Sequence, residues 1–280
     1  MKVKFITDSS ADLPKEVVKD LDITVLPIEL SFGSEIFLDN VTITNEEFYE
    51  KLRKCRELPK TSQINQFVFE DAFRPYKGTD TLVVAIIISS EMSATIEAAR
   101  RAQQELAMDN LLVVDSQLVT FGLGAYVVEA AKLAKEAQSK EELLEKLEAL
   151  RSKVKLYAYV DDLKYLRYGG RLSAASMHIA NFLRLHPVIT LDKKVEVISK
   201  QIGVAKCLRY MIEKVKEEAD FAYPLYFANS DCPEKGAAFE ERALAEIKGA
   251  RAYEHMFQLG PTVGTHAGPG CIGVVFIAKN

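Results

Sequence analysis

The chain has 280 residues, 48% of them hydrophobic and 27% charged, with 36 basic against 40 acidic side chains for a net charge of -4. That length supports one large domain or two small ones, with a generous core in either case. The near balance of charge, without a block of Lys or Arg, excludes a general nucleic-acid binder and favours small or neutral ligands.

Val3 to Thr7 reads as a strand, Pro14 to Asp20 as a short helix with proline in its first turn, and Ile23 to Phe32 as a strand ending at the turn Gly33-Ser34. Thr44-Asn-Glu-Glu47 has the form of a capping box and opens a helix to about Lys54, after which Leu58 to Gln63 is a loop. A helix follows over Asn65 to Tyr76. Leu82 to Ile88 is seven apolar residues in a row, rich in Val and Ile, which marks a strand buried on both faces. Helices are expected over Ser93 to Leu106 and Gly122 to Gln138, separated by the strand Leu111 to Val114. Ser139-Lys-Glu-Glu142 is a second capping box and starts a charged helix to about Lys153. This alternation predicts an α/β fold with a mainly parallel, doubly wound sheet over residues 1–155.

The rhythm changes after Lys153. A strand at Leu156 to Val160 leads to a helix over Asp162 to Tyr168, a stop at Gly169-Gly170, and a further helix from Ser173 to about Leu185. Val188 to Leu191 and Val195 to Ser199, joined through Asp192-Lys-Lys194, form a hairpin and so belong to an antiparallel or mixed sheet. Helices at Val204 to Ala219 and Pro233 to Lys248 alternate with strands near Leu225 to Ala228, Arg251 to Gln258 and Ile272 to Ala278. A second α/β domain over 156–280 is therefore expected.

Several chemistries are excluded. Cys55, Cys207, Cys232 and Cys271 lie far apart, with no C-x-x-C pair and no histidine at ligand spacing, so neither a metal site nor a disulfide framework is expected. No apolar stretch approaches the roughly 20 residues of a membrane span and no export signal is present, so the expected location is the cytoplasm. The string Gly268-Pro-Gly-Cys-Ile-Gly273 fits G-x-G-x-x-G, but a β-branched run follows it where a dinucleotide site needs a helix. No cofactor is expected.

The residues that point to a site are hydroxyls and one imidazole. In Gly260-Pro-Thr-Val-Gly-Thr-His-Ala-Gly-Pro-Gly270, His266 is bracketed by glycines and prolines, which predicts a rigid loop of unusual shape presenting it. Ligands of open parallel sheets bind beyond the carboxyl ends of the strands. There stand Asp8-Ser-Ser10 after the first strand, Ser89-Ser-Glu-Met-Ser93 after Leu82 to Ile88, and Asp115-Ser116 after Leu111 to Val114. Thr61-Ser-Gln63 adds further hydroxyls. Such clusters also serve as helix caps. Hydroxyls with a single histidine suit an anionic oxygen, and Ser93 at the start of its helix would bring a carboxylate or phosphate to free N–H groups and the positive end of the helix dipole. The competing enzyme reading is a hydrolase of acyl esters or acyl phosphates that uses a serine with His266. It lacks a G-x-S-x-G elbow. A triad would require Asp8, Asp115, Asp161 or Asp162 to converge on that pair.

Taken together, Ile6-Thr-Asp-Ser-Ser-Ala-Asp-Leu-Pro14, Thr61-Ser-Gln63, Ile88-Ser-Ser-Glu-Met-Ser-Ala-Thr95, Val114-Asp-Ser116, Asp162 to Ser173 with its Gly169-Gly-Arg171 step, and Val263-Gly-Thr-His-Ala-Gly-Pro-Gly270 resemble the DegV family of bacterial fatty-acid-binding proteins. The strings run in order along essentially the whole chain. The resemblance implies a two-domain α/β protein that encloses one long-chain fatty acid, such as palmitate, between its domains. It implies a carrier without catalytic residues, which for some members presents the acid to a separate ATP-dependent fatty acid kinase. By position it implies Thr61, Ser93 and His266 as the carboxylate ligands, with Asp8, Ser9, Ser62, Arg171 and Thr265 as secondary candidates.

The chain departs from the family pattern in three places. Ile64-Asn65 stands where Pro-Ser is frequent, and Ser93-Ala-Thr95 where Ser-Gly-Thr is usual. Ser199-Lys-Gln-Ile-Gly203 stands where the hairpin strand often continues into a basic motif with an arginine, for which Lys200 or Lys206 would substitute only as point charges.

Overall fold

Where the chain is continuously apolar it becomes a central strand, and where apolar residues recur at helical spacing it covers that strand. A computed structural model describes residues 1–172, 186–192 and 194–279. In the N-terminal half the order is β1 (Lys2–Asp8), α1 (Lys15–Asp20), β2 (Thr24–Leu26), β3 (Glu29–Phe32), β4 (Glu35–Leu38), α2 (Asn45–Lys54), β5 (Lys60–Ser62), α3 (Gln66–Phe73), β6 (Thr81–Ile87), α4 (Thr95–Leu106), β7 (Leu111–Asp115), α5 (Thr120–Glu136) and α6 (Lys140–Lys153). Strands β2-β1-β6-β7 form a parallel sheet in that order. Every residue of β6 is buried, as its unbroken apolar run requires.

Both predicted caps form. The Thr44 hydroxyl accepts from the Glu47 amide while the Glu47 carboxylate accepts from the Thr44 amide. Ser139 accepts from the Glu142 amide, but Glu142 reaches back one residue further, to the Gln138 amide.

Two expectations in this half are corrected. Ile23 to Phe32 is not one strand: β2 and β3 flank Pro27, which has no N–H to donate, and they enter different sheets. Beyond the Gly33 turn the chain runs back as β4, and the segment read as a loop supplies β5, so that β4-β3-β5 makes a small antiparallel sheet with Leu30 opposite Thr61. Three-residue strands carry too few alternations to be seen in a sequence.

The C-terminal half contains β8 (Val154–Tyr159), α7 (Lys164–Tyr168), β9 (His186–Asp192), β10 (Lys194–Gln201), α8 (Val204–Glu218), β11 (Tyr226–Asn229), α9 (Pro233–Glu246), β12 (Phe257–Gln258), α10 (Pro261–Ala267) and β13 (Ile272–Ile277). Its sheet has the order β10-β9-β8-β13-β11-β12 and is mixed, antiparallel except for the β11/β12 pair. The hairpin β9/β10 is present. The helix expected from Ser173 to Leu185 lies outside the described residues. Arg251 to Gln258 yields only the two-residue β12 and an isolated bridge from Ala252 to Leu225.

Helix α5 joins the two halves. From Thr120 to Ala131 every residue is buried, so this helix is enclosed on all sides rather than amphipathic. One apolar cluster accordingly runs from Phe5 through α5 to Ile277 without a break between the sheets. Enclosure forces the polar Glu129, 4% exposed, to find partners, and it accepts from the Tyr226 hydroxyl of β11 and from Lys132 at 2.8 Å. Replacing Tyr226 with Phe leaves that carboxylate short of a buried donor and is expected to cost about 1–3 kcal/mol. Denaturant unfolding of Tyr226→Phe against the parent measures it, and an unchanged midpoint would contradict the assignment.

Candidate ligand-binding site

The glycine- and proline-rich segment around His266 is a short helix, not the expected loop. Gly260 is its N-cap, Pro261 occupies the first turn where its missing N–H costs nothing, and Gly268 ends it. Glycine inside it answers a different need: a β-carbon on Gly264 would sit 2.6 Å from Phe48 Cε1 and 2.7 Å from the Tyr49 hydroxyl. The helix is thus pressed onto α2, and Tyr49 donates to the Leu259 carbonyl at 2.9 Å just ahead of it. His266 lies in its last turn.

The start of this helix is held by the other half of the chain. Asp12 Oδ1 accepts from the Gly260 amide at 2.8 Å, and Asp39 Oδ2 accepts from the Thr262 amide at 3.2 Å. Both carboxyls are buried. Burial raises Asp12 well above the usual carboxylate range and pushes Asp39 up to about 6 against the donors from Thr262 and Ser9.

Beside the helix is a cavity of about 280 Å³, just below the roughly 300–1,000 Å³ typical of small-molecule pockets. Thr61, Ser62, Ser93, Arg171 and His266 line it, and so do aliphatic side chains of both halves, among them Ile88, Val119, Leu156 and Ile189. Arg171 is the one formally charged side chain among the described residues lining it. The three primary candidates and two of the secondary ones are therefore brought to a single cavity.

Within it, His266 Nε2 lies 3.0 Å from Thr61 Oγ1. Among the described residues Nδ1 has no hydrogen-bond partner, and it is buried against Gly169, where a β-carbon would overlap the ring. Burial first, and the nearby positive charge of Arg171 second, lower the imidazole to about 4, so the ring is neutral at physiological pH. A neutral ring with an unpartnered Nδ1 is best satisfied when the proton is on Nε2, because a buried N–H without an acceptor is the costlier defect. In that tautomer His266 donates to Thr61 Oγ1 and frees the threonine proton to point elsewhere.

Ser93 Oγ is 2.9 Å from Thr95 Oγ1 and accepts from the Thr95 amide at 3.3 Å, just ahead of α4, which begins two residues later than expected. In turn Thr95 Oγ1 accepts from the Ile64 amide at 3.4 Å, tying the Thr61 segment to the Ser93 segment. The histidine is bonded to the threonine and not to the serine, which is the reverse of what an activated serine nucleophile needs. Arg171 donates to the Gly169 and Met92 carbonyls, the latter at 3.4 Å, and among the described residues no carboxylate pairs with it.

The remaining candidates do not reach the cavity. Asp8 accepts from the Ser10 and Ile88 amides and joins β1 to the end of β6. Ser9 donates to Asp39 Oδ2 at 2.9 Å and accepts from the Ile28 amide. Thr265 donates to the Pro261 carbonyl inside its own helix. These three build the surroundings. Of the carboxylates of the competing triad, Asp115 accepts from the Ser90 and Gln117 amides, Asp162 from the Lys164 amide, and Asp161 from the Tyr159 hydroxyl. Gln63 of the Thr61-Ser-Gln63 segment also lines the cavity, and so does Thr120, which lies in none of the motifs. Thr120 stands at φ 56°, a left-handed value unusual for a β-branched residue, and sequence carries no signal for it.

No helix among the described residues is long and apolar enough to cross a membrane. Residues 2–279 match a family model described as an uncharacterised protein of the DegV family. The chain is 32% identical to a DegV domain-containing protein of Caldanaerobacter subterraneus over 99% of each. The structure resembles that of a fatty-acid-binding DegV family protein from Thermus thermophilus, at 30% identity with a TM-score of 0.88 and full coverage of both chains. It likewise resembles DegV, a fatty acid binding protein from Bacillus subtilis, at 28% identity with a TM-score of 0.86 and full coverage of both.

The lowered imidazole has a signed consequence. With its proton site near 4 in the folded chain and 6.5 when unfolded, His266 binds a proton first in the unfolded chain, so its contribution to stability is present above 6.5 and is lost as pH falls toward 4. Asp39, raised from 3.8 to about 6, acts oppositely over an overlapping window. The difference in unfolding free energy between the parent and His266→Ala isolates the first effect. It is expected to shift against the parent as pH is lowered from 6.5 to 4, and a pH-independent difference would refute a neutral buried ring.

Proposed function

The chain belongs to the DegV family, and on that premise we propose that it is a carrier that holds one long-chain fatty acid in the cavity between its two α/β halves, 1–155 and 156–280. The observation that carries this reading is the cavity's mixed lining: Thr61 bonded to His266, Ser93 tied to the Thr61 segment through Thr95, and Arg171 bonded to the Met92 carbonyl, in a cavity otherwise lined largely by aliphatic side chains of both halves. The solved relatives from Thermus thermophilus and Bacillus subtilis are described as fatty acid binding, which supports the same ligand class here.

In this reading the carboxylate is taken by Thr61 and Ser93, each donating a hydroxyl proton to one of its oxygens. His266 acts behind Thr61: its Nε2–H donates to the threonine oxygen, so the threonine proton is directed to the ligand. Two bonds in series polarise one another, which strengthens the outer one in a water-poor site. Arg171 supplies the balancing charge, and the exposed Ser62 also lines the cavity. A carboxylate left without these donors would cost several kcal/mol to bury.

The tail supplies most of the affinity. At ~0.8 kcal/mol per buried methylene, about 15 methylenes contribute roughly 12 kcal/mol before the costs of ordering are met. The head-group donors then set orientation and discriminate an acid from an ester. Presentation of that head group to a separate ATP-dependent fatty acid kinase completes the proposed role, with the acid as the phosphoryl acceptor and the chemistry supplied by the partner.

Native mass spectrometry of protein purified without added lipid is expected to find one long-chain acid per chain. A protein that is empty and cannot be loaded sinks the carrier reading. Ser93→Ala and Thr61→Val are each expected to weaken fatty acid binding about tenfold, the worth of one hydrogen bond to a charged group. Turnover of an acyl ester by the parent, lost in Ser93→Ala, would instead establish the hydrolase.

A further inference from the structure

We propose that Asp12 and Asp39 are positioning residues of the head-group site: two buried carboxyls of the N-terminal half that hold the first turn of the helix Pro261–Ala267 and thereby set where His266 meets Thr61. This rests on the fatty acid reading above for its ligand, but its geometry is independent of any ligand.

A helix start leaves backbone N–H groups unpaired, and a helix this short has no length to average out an error in its placement. Here the Gly260 and Thr262 amides are taken by residues 248 and 223 positions away in the sequence. Each carboxyl has a second commitment. Asp12 Oδ2 accepts from the Thr120 hydroxyl at 2.6 Å, and Asp39 Oδ2 accepts from the Ser9 hydroxyl while Oδ1 accepts from the Asn40 side-chain Nδ2 at 3.0 Å. These clamps are themselves set by unusual backbone. Asp12, Asn40 and Thr120 all stand in the left-handed region, at φ 51°, 55° and 56°, and for the β-branched Thr120 that conformation is strained. Thr120 also lines the cavity, so Asp12 ties a cavity wall and the histidine helix to one side chain.

The far end of the helix is held by the His266–Thr61 bond itself, by the Ser230 hydroxyl donating to the Gly268 carbonyl at 2.8 Å, and by close contact. Gly169 approaches the His266 ring and Gly268 the Tyr165 ring, each too close for a β-carbon. With one end clamped and the other wedged, a displacement at the Asp12 and Asp39 end has to appear at His266, about one and a half turns away. The 3.0 Å contact to Thr61 is the quantity that changes.

The test compares Asp12→Ala and Asp39→Ala with Asp12→Asn and Asp39→Asn, which keep an acceptor oxygen. Binding of palmitate and of methyl palmitate is measured for each, together with the imidazole resonances of His266 without ligand. The alanine variants are expected to bind palmitate about tenfold more weakly, to bind the ester nearly as the parent does, and to show displaced His266 resonances. The asparagine variants are expected to restore both readouts. Should an alanine variant fail to fold, Asp12→Glu or Asp39→Glu replaces it, since one added methylene moves the helix start while keeping the acceptor. Folded alanine or glutamate variants with unshifted His266 resonances and an unchanged preference for the acid overturn the proposal. A parent that does not prefer the acid to the ester overturns the head-group reading, and the ligand-free resonances then still decide the positioning claim.

Discussion

The grip of two buried carboxyls on the start of the helix Pro261–Ala267 is the interaction on which the candidate site depends. Asp12 and Asp39 come from the first forty residues, the helix from the last twenty, and their hydrogen bonds to Gly260 and Thr262 join the two ends of the chain. Both acids are out of water, so each N–H they accept is worth more than it would be at the surface, and losing one would leave a buried group unpaired. That arrangement fixes His266 against Thr61. It also explains why so much of the polar sequence near the cavity never touches it. Asp8, Ser9 and Thr265, singled out by their place at strand ends or beside the histidine, are occupied in holding backbone.

The cavity is an extension of the core and not a feature added to it. Helix α5 is enclosed on all sides, one apolar cluster runs through both sheets, and several of its members, including Leu156 and Ile189, also face the cavity. The cavity is walled by residues of both halves, most of them aliphatic. The linked Thr61, Ser93, His266 and Arg171 give direction to an otherwise non-directional apolar space. The proposed orientation of a fatty acid follows from that asymmetry.

How much of this was legible depended on how locally each feature is encoded. The all-apolar β6, the capping box at Thr44 and the hairpin β9/β10 are written in a handful of adjacent residues, and they appear with boundaries within a few positions of expectation. The strands β3 and β5 were misread because each is three or four residues long and gains its stability from partners distant in sequence. His266 was expected on a loop because Gly and Pro usually punctuate. Here Gly260 and Pro261 start a helix, Gly268 stops it, and Gly264 lets it approach Phe48 and Tyr49. Composition alone cannot separate those uses of glycine. The neutral state of the ring was equally out of reach, since it follows from burial and from Arg171 being nearby.

By itself the sequence determined the α/β class, the parallel character of the first sheet and an antiparallel or mixed second sheet, because periodicity and capping are properties of neighbouring residues, while Thr61, Ser93, Arg171 and His266 became candidates through the resemblance of its ordered motifs to the DegV family. Tertiary structure decided which candidates share a cavity and which serve as scaffold, on which atom of His266 the bond to Thr61 is made, and that two distant aspartates hold its helix. Those outcomes depend on groups separated by up to 248 positions being brought within about 3 Å of one another. No local pattern encodes a contact at that separation.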